Sequence, residues 1–346
     1  MRRFVIYLAF LASAIAAGAQ DKSPFNIDIR FIPRFEGQLA ASSEEGTSVG
    51  LGSSSIYTVM NVGIREHLSF KMTNRWLSDD PAGLYGGTFS GKTRNCMDMC
   101  NARLSYDHFD FTLGKDKVAV AGIDMDLQGQ GRELIHDAFA DNILASYLWQ
   151  DMPYYQWGAK AAFKAGRKNP IRLSLQACTS PYSEVIFKSM TFMYSAQFEG
   201  WFGPYHNNWS VSAVERSKGR FDYLVTIGNT LAFGPVTVEA SWYNSMGYGV
   251  YNILGGNTIR TGVTIAPSKR WDLALRGNGY YSKRVSGTVA GVCGGAAFHF
   301  YPLRNSQSIR TYASAGYDSL AGNALASAGV VVDLVAFSLK VHNRNL

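Results

Sequence analysis

The feature that most restricts this chain is an alternation of apolar and polar side chains with a period of two, returning segment after segment from about residue 25 onward. In 171–177, Ile171, Leu173, Leu175 and Ala177 interleave with Arg172, Ser174 and Gln176. In 236–242, Val236, Val238, Ala240 and Trp242 face away from Thr237, Glu239 and Ser241. The runs 67–76, 155–164 and 271–276 repeat the pattern. Successive side chains of a strand point to opposite faces, so each run has one oily and one watery side. Helical periodicity is nearly absent. A wall with lipid on one side and water on the other satisfies this pattern when the sheet closes into a barrel. Its signature is a mean hydropathy near zero, here −0.07, with the apolar residues concealed in the alternation.

The connections between runs sort into two kinds that take turns along the chain. Tight ones include Asp107-His108, Gly203-Pro204, Gly234-Pro235 and Ser268-Lys269; longer ones include 40–54, 79–100, 118–152, 180–188 and 245–256. Short periplasmic turns alternating with external loops are the arrangement of outer-membrane barrels. Counting the segments between them predicts about 16 antiparallel strands, with both termini on the periplasmic side. Residues 143–150 also carry strand character, but counting them breaks the parity at both Gly-Pro turns, so they are assigned to the long loop.

The first residues read as an export signal. Arg2 and Arg3 precede the apolar stretch Phe4 to Ala17, and Ala17-Gly18-Ala19 offers small residues for cleavage before Gln20. Residues 1–19 are therefore expected to be removed, leaving 20–346 as a single domain. No run of 18 apolar residues follows, which excludes a helical transporter. The formal charge of +7 falls to about +5 without Arg2 and Arg3. In an exported chain this excess points to an anion-attracting lumen or to lipopolysaccharide and other outer-membrane lipid, rather than to nucleic acid. Cys96 and Cys100, four residues apart, are expected to be able to pair in an oxidising compartment, whereas Cys178 and Cys293 read as small wall residues.

The alternation also allocates the charges. It places Arg30, Arg34, Lys71, Arg75, Lys160, Lys164, Arg172, Arg216 and Arg276 on the watery face, with Asp28, Glu199, Asp222, Glu239 and Asp272. The basic excess predicts a mild preference for anions. The longest connection, 118–152, contains Asp124, Asp126, Arg132 and Glu133, and is expected to fold inward and narrow the channel. Trp76, Trp157, Trp201, Trp242 and Trp271 read as interface anchors on the lipid side. The six histidines show no paired metal spacing, no GxSxG elbow appears, and neither glycine pair lies in a phosphate loop. Passive diffusion of small hydrophilic solutes, without turnover, metal or cofactor, is the leading expectation. Adhesion or scaffolding by the external loops, and an outer-membrane lipid hydrolase, are the rivals.

Phe111-Thr112-Leu113-Gly114-Lys115, leading into the long connection, and Leu173-Ser174-Leu175-Gln176-Ala177, ending at Ser180-Pro181, resemble segments of Gram-negative porins, in particular the group related to phosphate-selective porins. The place of 118–152 after the fifth strand is similar to that of the third loop of general porins. The resemblance implies a homotrimer of barrels with that loop folded inward. It also implies that Lys115, Lys117 and Arg132 help to steer anions.

Overall fold

The structure is a computed structural model, described for residues 25–42, 46–50, 54–64, 66–76, 95–121, 155–166, 170–180, 191–246, 256–284, 287–303, 306–319 and 322–341. Eighteen strands build it: β1 (Phe25–Ser42), β2 (Gly46–Gly50), β3 (Ser55–Ile64), β4 (Leu68–Trp76), β5 (Asn95–Ser105), β6 (Phe109–Lys117), β7 (Tyr155–Ala165), β8 (Ile171–Thr179), β9 (Phe192–Phe202), β10 (Tyr205–Ser217), β11 (Arg220–Phe233), β12 (Val236–Met246), β13 (Asn257–Ser268), β14 (Trp271–Arg284), β15 (Gly287–Phe300), β16 (Ile309–Asp318), β17 (Asn323–Val332) and β18 (Leu334–Val341). Each pairs antiparallel with its neighbours. β2 and β3 lie end to end against β1, and β17 and β18 do the same on its other side, interrupted at Asp333. The eighteen segments are therefore sixteen wall strands. β1 pairs with both the second and the last of them, so the sheet is a closed cylinder and, among the described residues, contains no helix.

The two faces of the wall invert the usual arrangement of a soluble protein. Phe35, Leu113, Leu175, Tyr223, Val292 and Phe337 are all exposed, while Arg34, Asp110, Gln176, Thr226, Arg260 and Arg310 are buried. A closed sheet has one outer face, so the apolar side chains form the exterior and the polar ones the interior. Backbone groups in hydrocarbon must be paired internally, and closure removes the sheet edges that would leave them unpaired. Such an exterior suits lipid, and the chain is a transmembrane barrel.

Two of the short turns show how sequence sets the hairpins. Gly203 has φ +62 and Gly234 has φ +56, and each is followed by a proline. A two-residue turn with a left-handed first position suits glycine, and proline fits the second at its fixed φ. Phe202 then faces Tyr205, and Phe233 faces Val236, so both registers are set at the turn.

The strand ends depart from expectation. β1 continues to Ser42 and β2 occupies Gly46–Gly50, inside the stretch read as the loop 40–54. β5 begins at Asn95, six residues before the expected start at 101. In the run from Asn95 to Cys100 the adjacent pairs Cys96–Met97 and Met99–Cys100 break the alternation, and its pairing with β4 shifts register between Thr73 and Asn74. A bulge of this kind breaks the two-residue period on which strand recognition depends. Cys100 carries a free thiol, and the side chain of Cys96 lies outside the described residues.

Candidate functional site

The interior is the chemically distinctive surface. Cross-strand register assigns it residue by residue, because side chains opposite one another on paired strands share a face. On β6 to β8, Asp110 faces Ala162, Lys160 faces Gln176, and Lys164 faces Arg172. On β3 and β4, Asn61 faces Lys71, and β1 carries Arg30 and Arg34 two turns of the pleat apart. On β14, Arg276 lies opposite Gly262 of β13 and Gly295 of β15. Arg30, Arg34, Lys71, Lys160, Lys164, Arg172 and Arg276 therefore all lie on the inner face. Arg75 occupies the inward register position opposite Tyr57, and its side chain falls outside the described residues.

Near the periplasmic end, one carboxylate organises the wall. Asp110 is almost fully buried and accepts from Arg103 at 2.5 Å, Lys164 at 2.8 Å and the Ser105 hydroxyl at 2.5 Å; Arg172 lies 3.4 Å away. The three cations come from β5, β7 and β8, and each keeps more than a quarter of its side chain in solvent. One negative charge thus holds three positive ones in place, leaving a net positive patch on this arc. Closer to the external side, Lys160 pairs with Asp116 at 2.5 Å, and Asn101 donates to the same carboxyl at 3.2 Å.

Across the barrel, β13 to β16 and β1 supply a second basic group. Two guanidinium groups lie over the Tyr312 ring, Arg34 at 5.4 Å and Arg310 at 5.0 Å from its centroid. Arg34 donates to the Tyr312 hydroxyl at 3.0 Å and pairs with Glu36 at 2.8 Å, while the Tyr312 hydroxyl donates to Glu36. Arg276 pairs with Glu239, and Arg260 sits opposite Ser241 and Asn278. His299 contacts Asp272 at 2.5 Å, and Tyr301 donates to that carboxyl at 3.2 Å. At the seam, Arg30 bridges Asp28 at 2.7 Å and Asp333 at 2.9 Å. Fixed guanidinium planes and carboxylates on a water-facing wall act on passing ions through their field and their hydrogen bonds.

The long connection enters this space at its start. Val118 to Ala121 leave β6 fully buried, and their backbone is held by the inner faces of other strands. Gln176 of β8 accepts from the Ala119 amide and donates to the Lys117 carbonyl at 2.8 Å. Ser210 of β10 accepts from the Ala121 amide at 2.9 Å and is shared with Thr226 at 2.7 Å. The segment therefore crosses the lumen side of β7 to β10. Asp124, Asp126, Arg132 and Glu133, the loop's predicted charges, lie outside the described residues. The double variant Gln176→Ala, Ser210→Ala removes these anchors at roughly 1 kcal/mol per hydrogen bond. Single-channel recordings should then show larger or noisier steps than wild type; identical traces would mean that the anchors do not hold the loop's position.

Two groups of residues are placed differently from expectation. Lys115 and Lys117 follow Phe111 and Leu113 on the outward face, opposite Trp157 and Tyr155, and Lys115 donates to the Met97 carbonyl at 2.6 Å. They do not line the interior. Trp201 shares the inward face with Glu199 and stacks on His206 at 4.6 Å, so it is no lipid anchor. Trp157, Trp242 and Trp271 are on the outward face. Arg103, Arg260 and Arg310 are inward residues that the sequence reading left unnamed. For Arg260 the signal was present, since Ile259, Thr261 and Val263 alternate around it.

No protein-family model matches the chain, and no curated protein sequence does. Solved structures do. The outer membrane channel DcaP of Acinetobacter baumannii superposes with a TM-score of 0.60 at 9% identity, covering 90% of this chain and 97% of that one. OmpT of Vibrio cholerae, an outer-membrane protein, gives 0.56 at 9% identity over 89% and 98%. A mutant of the Rh. blastica porin gives 0.55 at 15% identity over 89% and 100%. The fold is thus that of outer-membrane porins and channels over nearly the whole chain.

Proposed function

We propose that this protein is an outer-membrane porin through which small hydrophilic solutes diffuse passively, with a mild preference for anions. The observation that carries the reading is the inner wall: closed, polar, and charged throughout, with a locally positive arc where Arg103, Lys164 and Arg172 gather around the single carboxylate of Asp110. A low-dielectric wall focuses such a field and raises the local concentration of counter-ions. The entry of the third connection along β8 and β10 supports a narrowed passage, where fixed charges act at short range. Inorganic phosphate is the first anion to examine, because arginine pairs bind it in bidentate geometry. Assembly as a homotrimer in the outer membrane belongs to the same reading, and one of the similar Vibrio cholerae OmpT structures is a trimer form.

Purified protein in a planar bilayer under a salt gradient tests this directly. Stable conductance steps with a reversal potential displaced toward the anion value are expected. Absence of steps would remove the channel, and a cation-side potential would remove the anion preference while leaving the channel.

A further inference from the structure

The exterior is not uniformly bulky. A groove of about 710 Å³ runs over the outer face of β6 to β11, within the size range of roughly 300–1,000 Å³ usual for ligand clefts. Its floor is low because Ala159, Ala177, Ala196 and Ala213 point outward there, and its flanks are raised by Leu175, Tyr194 and Tyr223. Register explains its limits. One step nearer the periplasm, every outward position across these strands is large: Phe109, Phe163, Leu173, Phe198, Trp209 and Ile227 lie side by side. That row closes the groove below. On the external side, Tyr194 packs at 6.4 Å from Phe192 and 6.5 Å from Phe221, giving an aromatic collar at the depth where rings meet headgroups.

Charge completes the picture. Directly above the groove, the β10–β11 turn presents Lys218 and Arg220, both exposed. The acidic side chain beside them, Glu215, is occupied by the backbone amides of Phe192 at 2.9 Å and Gly219 at 2.7 Å. Arg216 and Asp222 are paired with each other on the inner side. At the opposite flank, β6 carries Lys115 on the outward face, its ammonium on the Met97 carbonyl. The rim of the apolar groove is therefore basic.

We propose that this groove seats an acyl chain of a phosphorylated glycolipid of the lipid A type, with its phosphate against Lys218 and Arg220. An apolar furrow closed toward the membrane centre and open toward a cationic rim matches a molecule whose anionic head sits above saturated chains. Burial of methylenes in the furrow and attraction of the headgroup phosphate to the basic rim both favour such a lipid. The site lies on the opposite side of the wall from the channel, so its test is independent of conduction.

Native mass spectrometry of the detergent-purified protein, titrated with lipid A, reads retention of the lipid. Wild type should hold lipid A through delipidating detergent and hold dephosphorylated lipid A about tenfold more weakly. Lys218→Gln with Arg220→Gln should weaken lipid A on the order of tenfold and leave the dephosphorylated form unchanged. Ala177→Phe with Ala213→Phe, which fills the groove, should weaken both forms. Heat-modifiable migration on gels confirms folding, and the rim pair, lying outside the membrane-embedded wall, decides the matter if the filled variant does not fold. Equal retention in every case overturns the proposal. So does a filled variant that changes only the mass of the assembly, which would give the groove to a second copy of the chain.

Discussion

Replacing Lys160 and Lys164 together by glutamate should carry the reversal potential from the anion side to the cation side. Both side chains are inward and both are already paired, Lys160 with Asp116 at 2.5 Å and Lys164 with Asp110 at 2.8 Å. Each substitution therefore does more than remove a cation: it sets two carboxylates side by side. Like charges about 4 Å apart repel by about 4 kcal/mol at the effective dielectric near a protein surface, and they relax by drawing in cations. The outcome is a lumen whose β6–β8 arc changes sign while the outer wall stays as it was. Measurement in a planar bilayer under a salt gradient, beside the single variants, reads the effect. A potential that does not move would mean that ions pass without sensing this arc.

The second large effect is expected at Asp110→Asn. The carboxylate is nearly inaccessible and has Arg103, Lys164 and Arg172 around it. An amide of the same size retains one acceptor and turns a donor toward the cations. Three positive charges then share a small space without a counter-charge. Because each retains contact with solvent, the loss should be at the low end for a broken buried pair, about 1–3 kcal/mol, seen as a lower urea midpoint for unfolding in vesicles. Selectivity should move in the direction opposite to the lysine variant, toward anions. Unchanged stability and unchanged selectivity together would show that water already neutralises the cluster.

Much of this fold is legible in the sequence because the lipid imposes a strict rule on every second residue. The sixteen wall strands and their turn parity follow from the alternation and from signals such as the two Gly-Pro turns. Where the rule is followed locally it also allocates the charges: Arg172 between Ile171 and Leu173 has only one way to face. Lys115 shows what happens when a motif is preferred to that rule. The alternation of Phe111, Thr112, Leu113 and Gly114 already puts Lys115 on the lipid side, where a long side chain reaches the interface with its charge. Trp201 was misread for the same reason, by residue type and not by parity. Arg310 and Tyr312 were obscured because an aromatic and a cation share the inner face while Thr311 faces out.

The pairing of charges is a different matter. The partners of Asp110 come from three strands, and which cations meet it depends on how those strands slide against one another. Nothing local records that offset. The same limit applies to Gln176 and Ser210, whose hold on the long connection is visible only once β8 and β10 stand beside its path. The low furrow of alanines is likewise a property of six adjacent strands and of no single one.

The seam where Phe25 meets Val341 has a consequence for biogenesis. These partners are separated by almost the full length of the polypeptide, so the first strand waits with an open edge until the last has been synthesised and delivered. Pairings of such long range form slowly, and unpaired edges invite contacts between chains. The cylinder therefore cannot close before both ends of the chain are present at the seam. Truncation at the C-terminus should therefore be far more damaging to assembly than a deletion of equal size in an external loop.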